Sequence, residues 1–324
     1  MSSFTSDSSN HWKTVAMILA IVLAGEVTLR ASMPVVSGTL KHIKEIPYAA
    51  EMLSKSEGMR ILFLGNSMIN NGIDVKIIRG ELEKNSMSII NVAKINPDGT
   101  DLWDWYFLYK NYFFLQSNPP DLIVLGFRSD FVDDRRQPNP SRLAANFSGL
   151  NDLPELIDFG MTGRGEITEY LLASSICLYA HREAIRNRLM DWIVPYYRDS
   201  TAKIGANAWK AQSEAGGEVQ GEYSYRRLEG LLRLVRSKCG MVVLVAMPTR
   251  NKYELKKEIL LTTEKSNAVL MDLRVVRGLS EANFIDAVHL NSAGAEVLSR
   301  ELGERLTYIL SSKVNAPKHS MPAR

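Results

Sequence analysis

The chain contains few cysteines, and this scarcity limits the kinds of site that it can build. Its 324 residues include only two, Cys177 and Cys239, which lie far apart and lack the Cys-x-x-Cys spacing of zinc and redox sites. No histidines cluster near them, so we predict no metal site, and no other spacing indicates an organic cofactor. We expect two separate, buried thiols. A disulfide in an oxidising compartment is the alternative.

Net charge and low-complexity sequence are also scarce. The formal net charge of +3 is small for this length and gives no support to nucleic-acid binding, which requires a basic face with interleaved aromatic residues. The sequence contains no internal repeat and no Gly/Ser-rich or Pro-rich linker. Hydrophobic residues make up 45% of the chain and charged residues 23%, as in proteins that bury a core. We predict one sizeable globular domain with an addition at the N-terminus.

The N-terminal addition is an uncharged apolar run, Val15–Gly25, whose apolar character resumes after Glu26. A membrane-spanning helix needs about 20 residues, whereas the core of a signal peptide needs about 7 to 15. The helical pattern continues to Arg30, whose side chain can reach the lipid surface, and this favours an uncleaved signal anchor. The alternatives are a signal peptide cleaved after Val22-Leu23-Ala24 and a buried amphipathic helix of a cytosolic protein.

The rest of the chain alternates short apolar runs with helical segments. This alternation favours a parallel sheet covered on both faces, in which ligands bind beyond the carboxyl ends of the strands. The five predicted strands are Ile61–Leu64, Ser88–Val92, Leu122–Gly126, Met241–Ala246 and Val269–Leu273. The residues that fall just past a strand are Ser67, Gly99, Arg128 and Pro248.

These patterns divide the chain into segments. We predict an N-terminus with its anchor or signal peptide at 1–31, a connector at 32–58, the main domain with alternating strands and helices at 59–312 and a disordered tail at 313–324. A helical insertion is expected at about 133–225. Its segment His181–Leu189 alternates charge, which is typical of a solvated helix face, with apposition to a membrane as the alternative. The polar tract Thr201–Gly221 is typical of a loop or lid.

Two short blocks carry the chemistry. Ser67 follows Gly65-Asn66 at a change from strand to helix, and the block Asp286–Asn291 precedes a long amphipathic helix. A serine hydroxyl is a weak nucleophile unless a histidine takes its proton and a carboxylate orients that histidine. We therefore predict Ser67, His289 and Asp286 as catalytic residues.

Each of these residues has an alternative interpretation. Ser67 is otherwise only a helix N-cap, and Asp272 or Asp130 could orient the imidazole instead of Asp286. Asn291 is expected to be a cap or turn residue. Trp103 and Trp105 are expected in the core, with a carbohydrate-stacking platform as the alternative.

The two blocks resemble those of the SGNH (GDSL-like) hydrolase family over about Arg60 to Leu310. The last block of that family reads Asp-x-x-His, and the first reads Gly-Asp-Ser where this chain has Gly65-Asn66-Ser67. The resemblance implies a flavodoxin-like three-layer αβα sandwich with a central parallel sheet of about five strands, an N-terminal hydrophobic helix and a helical insertion. It also implies an esterase acting on a small acyl group outside the cytoplasmic membrane.

The middle blocks of the family supply an oxyanion hole, in which a glycine N–H and an asparagine side chain join the serine N–H. The resemblance assigns the glycine role to Gly99. The third block should hold an asparagine after Gly126, but the chain has Phe127-Arg128-Ser129-Asp130 there. The predicted oxyanion hole is therefore Ser67, Gly99 and Arg128, with Ser129, or no third donor at all, as the alternatives.

The resulting functional hypothesis is a membrane-anchored or exported serine esterase that acts on O-acetyl esters of an extracytoplasmic polysaccharide or glycan. Hydrolysis and acyl transfer share one acyl-enzyme, so both remain open. The predicted partners are the acyl-ester or glycan substrate and the membrane, with no nucleic acid. The alternative is a non-catalytic scaffold of the same fold that binds glycan or assembly partners.

Overall fold

The computed structural model describes residues 8–36, 38–85, 89–197, 199–201, 204, 223–238 and 240–314. The chain forms two compact units. We call Met1–Leu40 with Pro138–Glu222 the helical unit, and Lys41–Gln137 with Tyr223–Arg324 the sheet unit. Four predicted features lie wholly or partly outside the described residues: Ser88, Cys239, the polar tract Thr201–Gly221 and the C-terminal tail 313–324.

The sheet unit is built on five parallel strands, which confirms the predicted α/β fold. The strands are β1 Met59–Leu64, β2 Ile90–Ile95, β3 Leu122–Phe127, β4 Met241–Ala246 and β5 Val269–Asp272. Their order across the sheet is β2-β1-β3-β4-β5, and every neighbouring pair is parallel. All residues of β3 and β4 are buried, as expected of central strands covered on both faces.

The second strand lies later in the sequence than predicted. It pairs with β1 in register from Met59 opposite Ile90 to Leu64 opposite Ile95, so the partner strand sets its length. Lys94 fits in this strand because its ammonium group donates to the backbone oxygens of Asn70 and Ile73 at 3.2 and 3.0 Å.

The remaining regular structure is helical. The α-helices are Ser8–Val36, Gly38–Lys55, Ser67–Gly72, Val75–Asn85, Leu102–Leu108, Pro140–Arg142, Leu153–Asp158, Arg164–Ser175, Cys177–Ala180, Arg182–Ile193, Arg226–Arg236, Lys257–Lys265 and Ser292–Val314. The described residues also form two π-helical turns, Tyr109–Phe114 and Leu143–Phe147, and three short 3-10 turns, Ser129–Phe131, Leu150–Asp152 and Glu281–Asn283. The predicted connector is thus largely helical.

In the hydrophobic core of the sheet unit, the last helix packs against the segment that begins at Ser67. The long helix Ser292–Val314 packs against Val75–Asn85 and against the short helix Ser67–Gly72. Its buried leucines Leu298 and Leu302 lie in one apolar cluster with Ile69. This packing brings the two sequence-distant blocks to the same end of the sheet.

The helical unit contains the predicted hydrophobic helix. Within it, His11–Ser32 is 22 residues long with a mean hydropathy of 1.8, which is long and apolar enough to cross a membrane by length and composition. None of its most apolar stretch is buried within the structure, unlike the core helix that was the third possibility.

Candidate active site

Ser67 is placed by a turn that only small residues allow. The chain leaves β1 at Leu64, turns through Gly65 and enters the helix at Ser67. A Cβ atom on Gly65 would lie 2.5 Å from Ile69 Cγ1, and one on Gly126 would lie 2.1 Å from Ile69 Cδ1. The two glycines therefore let the helix rest directly on the ends of β1 and β3. In a sheet of this order, that is the switch point where ligands bind.

Asn66, and not Ser67, caps this helix. Its backbone is extended, with φ −125°, and its side-chain oxygen accepts the N–H of Met68 at 3.0 Å. The same buried side chain donates from Nδ2 to the carbonyl of Thr100 at 3.1 Å. The interpretation of Ser67 as the N-cap is therefore wrong, because its hydroxyl takes no part in the cap.

The C-terminal block forms a loop closed by backbone hydrogen bonds. Ile285 N–H donates to the carbonyl of His289 at 2.8 Å, and Arg250 N–H donates to the carbonyl of Ala287 at 2.9 Å. At its end, the Asn291 side chain accepts the N–H of Gly294 at 2.9 Å and so caps the last helix, as predicted. The loop is thus held in place from both of its flanks.

The structure brings Ser67, His289 and Asp286 together in a hydrogen-bonded chain. His289 Nε2 lies 2.8 Å from Ser67 Oγ, and His289 Nδ1 lies 2.7 Å from Asp286 Oδ2. A carboxylate only accepts hydrogen bonds, so Nδ1 carries the imidazole proton and Nε2 faces the serine hydroxyl with its lone pair. This is the arrangement that lets a histidine withdraw a proton from serine.

Asp286 is held as a carboxylate. Its Oδ1 accepts the backbone N–H groups of Val288 and His289 at 2.9 and 2.8 Å. Partial burial alone would raise the pKa of Asp286, but the hydrogen bonds from the His289 ring and from these two N–H groups outweigh it and lower the pKa below its ordinary value. Asp286 is therefore ionised at neutral pH and can act as the negative partner of His289.

The two alternative carboxylates have other partners. Asp272 pairs with Arg274 at 2.6 Å, and Asp130 pairs with Arg128. Only Asp286, among the residues that the structure describes, places a carboxylate within hydrogen-bond distance of the His289 ring.

Gly99 lies in the turn that follows β2, where its φ of +69° is in the region that favours glycine. The next residue, Thr100, accepts the Asn66 side chain through its carbonyl and places its hydroxyl 3.1 Å from the carbonyl of Gly65. The turn that bears Gly99 is thus attached to the turn that bears Ser67. A role of Gly99 in an oxyanion hole stays a prediction.

The two proposed substitutes for the missing asparagine are engaged elsewhere. Arg128, with 13% of its side chain exposed, makes a two-point ion pair with Asp130 and lies 5.1 Å from the centre of the Phe131 ring. The hydroxyl of Ser129 donates to the carbonyl of Glu254 at 2.8 Å. Ser129 has a single hydroxyl proton and would have to leave Glu254 before it could serve as a third oxyanion donor. A role of Arg128 in the oxyanion hole stays a prediction.

Sequence analysis missed the supporting role of Trp105. Its fully buried indole N–H lies 3.0 Å from both the carbonyl of Gly65 and the hydroxyl of Thr100. Trp103 is also buried and donates to the carbonyl of Arg136 at 2.9 Å, so the stacking-platform alternative is wrong for both rings. The sequence feature that could have indicated this role is the pair Asp101 and Asp104, which form the capping box at the start of the helix Leu102–Leu108.

The described residues hold no group of three or more His, Cys, Asp or Glu side chains that could bind a metal ion. Cys239 lies outside these residues, so the pairing of Cys177 with Cys239 stays untested.

Comparison with known proteins gave matches to solved structures alone. No family model and no curated protein matches the chain. An acetylxylan esterase from Geobacillus stearothermophilus is similar to it at 14% identity and a TM-score of 0.39, over 76% of this chain and 93% of that one. A lipase/acylhydrolase from Enterococcus faecalis is similar at 11% identity and a TM-score of 0.40, over 77% and 95% of the two chains. At these values the likeness says nothing about activity.

Proposed function

We propose that the chain is a serine esterase of the SGNH type, with Ser67 as nucleophile, His289 as general base and acid, and Asp286 as the group that orients His289. The observation that carries this proposal is the hydrogen-bonded chain from Ser67 Oγ through the imidazole to Asp286, with distances of 2.8 and 2.7 Å. Groups already within hydrogen-bond distance can transfer a proton without rearrangement.

In the first half of the reaction, Ser67 Oγ attacks the carbonyl carbon of an ester while His289 Nε2 accepts the hydroxyl proton. The tetrahedral intermediate carries its negative charge on the former carbonyl oxygen. Its collapse breaks the bond to the alcohol oxygen, which takes the proton from His289 and leaves as an alcohol. Asp286 stabilises the transient imidazolium and stays ionised throughout.

In the second half, His289 Nε2 takes a proton from an incoming hydroxyl group, whose oxygen attacks the acyl carbon on Ser67. Collapse of this second tetrahedral intermediate breaks the bond between the acyl carbon and Ser67 Oγ, which takes the proton back from His289. If water supplies the oxygen, a carboxylic acid leaves and the reaction is a hydrolysis. If a second alcohol supplies it, the acyl group is transferred. The residues that act are the same in both cases.

The oxyanion in this scheme is bound by the N–H groups of Ser67 and Gly99, with Arg128 as the third donor. Ser67 N–H lies in the first turn of its helix, where backbone N–H groups have no helical partner. The loss of one such donor typically costs about 10²–10³ in rate.

The proposed substrate is an O-acetyl ester on an extracytoplasmic polysaccharide or glycan. The site is open to solvent, since 25% of the His289 side chain and 52% of the Asp286 side chain are exposed. A shallow, exposed site suits a bulky polymer with a small acyl substituent. The apolar helix His11–Ser32 supports a single-pass anchor with the sheet unit outside the membrane, and export after signal cleavage is the alternative.

The proposal is tested by labelling the full chain, in detergent, with a fluorophosphonate and locating the modified residue by mass spectrometry. We expect the label on Ser67, and we expect none in the variants Ser67→Ala and His289→Ala. Ser292→Ala is the matched control, because it removes an exposed hydroxyl at the start of the last helix. Circular dichroism checks that each variant is folded.

A non-catalytic scaffold is the second candidate, and the engagement of Arg128 and Ser129 with other partners favours it. A folded wild-type chain that takes no label, and that binds an acetylated glycan without releasing acetate, would support the scaffold. Release of acetate that depends on Ser67 would exclude it.

A further inference from the structure

The helix Arg182–Ile193 of the helical unit has an apolar stripe that faces solvent. Ile185, Leu189, Trp192 and Ile193 follow the i, i+4, i+7, i+8 spacing of one helix face. Of these side chains, Leu189 is 50% exposed, Trp192 85% and Ile193 58%. Large apolar groups exposed together mark a surface that binds a partner or a membrane.

Most charges on this helix lie outside the stripe. At 100° per residue, Arg186 and Arg188 fall on its two edges, while Glu183 and Asp191 fall on the opposite face. Arg182, the first residue of the helix, falls within the stripe by the same count and is paired with Glu169 at 2.9 Å. Basic residues beside an apolar stripe and acidic residues away from it suit an anionic surface. This is the pattern of helices that lie in the interface of a lipid bilayer.

The candidate membrane helix is bound to the segment just before this stripe. The carboxylate of Glu26 accepts the backbone N–H of Leu178 at 2.9 Å and that of Cys177. Arg30 donates to the carbonyl of Ser175 at 3.0 Å. The carboxylate of Glu26, inside the apolar span, thus receives its hydrogen bonds from the polypeptide. The same contacts hold the segment 175–178 beside residues 26–30.

These contacts fix the depth of the helix Arg182–Ile193 in the membrane relative to the candidate spanning helix His11–Ser32. Glu26 lies six residues before Ser32, the end of the candidate span, which is about 9 Å along a helix axis. Interfacial helices bury their apolar face about 5–10 Å into the boundary between headgroups and acyl chains. The short helix Cys177–Ala180 therefore begins at this depth, and Arg182–Ile193 follows it after a single residue.

We propose that the helix Arg182–Ile193 lies in the membrane interface, with Trp192 and Ile193 toward the acyl chains and Arg186 and Arg188 at anionic phospholipid headgroups. Tyr196, which is 81% exposed just beyond the helix, lies with Trp192 at the level where these two residue types are enriched in membrane proteins. The inference rests on the membrane anchor proposed above and not on the catalytic assignment.

The test places the full chain in nanodiscs that contain anionic phosphatidylglycerol and measures tryptophan quenching by brominated phosphatidylcholine and by aqueous iodide. The emission lost in Trp192→Tyr isolates the signal of Trp192, and that lost in Trp12→Phe reports the anchor helix. We expect brominated lipid to reduce the Trp192 signal at least twofold and iodide to leave it nearly unchanged. The pair Arg186→Glu and Arg188→Glu should weaken the lipid quenching, whereas the control Asp191→Lys on the opposite face should not.

The other outcomes contradict the inference in different ways. Quenching of Trp192 by iodide alone places the stripe in water. Protection from both quenchers places it against a second copy of the chain or another protein. If brominated lipid quenches Trp12 but not Trp192, the anchor stands and the interfacial helix is wrong. If it quenches neither, the anchor itself is wrong, while fluorophosphonate labelling of Ser67 still tests the esterase separately.

Discussion

Asn66 caps the helix that begins at Ser67, so the Ser67 hydroxyl is not needed for the cap and can contact His289. The Asn66 side-chain oxygen accepts the N–H of Met68 at 3.0 Å, while Ser67 Oγ lies 2.8 Å from His289 Nε2. If Ser67 were the cap, its hydroxyl would point back at the helix. The neighbouring asparagine is therefore part of what orients the proposed nucleophile.

Replacement of Asn66 should weaken both the helix and the connection to the turn that bears Gly99. Asn66→Ala removes the cap and leaves the buried carbonyl of Thr100 without this donor, so we expect a loss of about 1–3 kcal/mol in the free energy of unfolding. Asn66→Asp keeps an oxygen for the N–H of Met68 and should retain part of the fluorophosphonate labelling. Denaturant unfolding and labelling rates measure the two effects. Equal labelling of wild type and Asn66→Ala would contradict the orienting role.

Asp286→Asn should leave the fold intact and nearly abolish activity. An amide can present its NH₂ group to His289 Nδ1, which then loses its proton and leaves Nε2 protonated toward Ser67. By analogy with other serine hydrolases we expect a loss of about 10⁴ in kcat on an acetyl ester. Asp272→Asn is the matched control, because that carboxylate pairs with Arg274. A comparable loss in both variants would mean that the effect is not specific to the His289 contact.

The stability that Asp286 contributes should be lost only in strong acid. The hydrogen bonds at Asp286 lower its pKa in the folded state. The stability they provide is thus complete above the unfolded-state pKa of aspartate, about 3.9, and is lost only as pH falls through the lower folded value. Denaturant unfolding of wild type and Asp286→Asn at a series of pH values checks this, and a stability difference between the two proteins that does not shrink in strong acid would contradict it.

The positions of the strands and the meeting of distant residues are predictable from the sequence where burial or sheet topology determines them. β3 and β4 are continuous apolar runs because both of their faces are covered, so their positions were predictable almost to the residue. Ser67 and His289 can be paired from the sequence because a serine nucleophile needs a histidine base, and in the structure the last helix packs against the helix that begins at Ser67. Their hydrogen-bonded distance follows from that packing.

Side-chain partnerships were less predictable, because several residues could compete for one role. Asn66 and Ser67 are both favoured N-cap residues, and only the extended backbone of Asn66 decides between them. Arg128 is predicted to be an oxyanion donor, but the sequence does not show that Asp130, two residues away, pairs with it. β2 continues past its predicted end at Val92 to Ile95, because it pairs with β1 over that length and because backbone carbonyls of another segment accept hydrogen bonds from Lys94. No local pattern reveals these contacts.

Trp105→Phe should separate the hydrogen bonds of the indole from its bulk. The phenyl ring keeps most of the packing but cannot donate to Gly65 or Thr100, so we expect a loss of about 1–2 kcal/mol in unfolding free energy and slower labelling of Ser67. Trp103→Phe is the control, since its indole N–H donates to Arg136 instead. Slower labelling in Trp103→Phe than in Trp105→Phe would contradict the proposed support of the serine turn.

Gly126→Ala should displace the Ser67 helix from the sheet. The new Cβ would lie 2.1 Å from Ile69 Cδ1 and 2.6 Å from Ile69 Cγ1, so we expect a cost of about 1–3 kcal/mol from overpacking and slower labelling of Ser67. The control Gly80→Ala lies within a helix and meets nothing within 4 Å, so it should be neutral or stabilising.

The cause of this cost can be isolated with a double-mutant cycle. Ile69→Ala removes the two atoms closest to the new Cβ and leaves Met247 Sδ at 3.2 Å, so Gly126→Ala should cost much less in the Ile69→Ala background than in the wild type. Denaturant unfolding of the four proteins gives the coupling energy. If the two costs simply add, the clash with Ile69 does not explain the requirement for Gly126. If they couple, Ile69 is the contact through which the end of β3 fixes the position of Ser67.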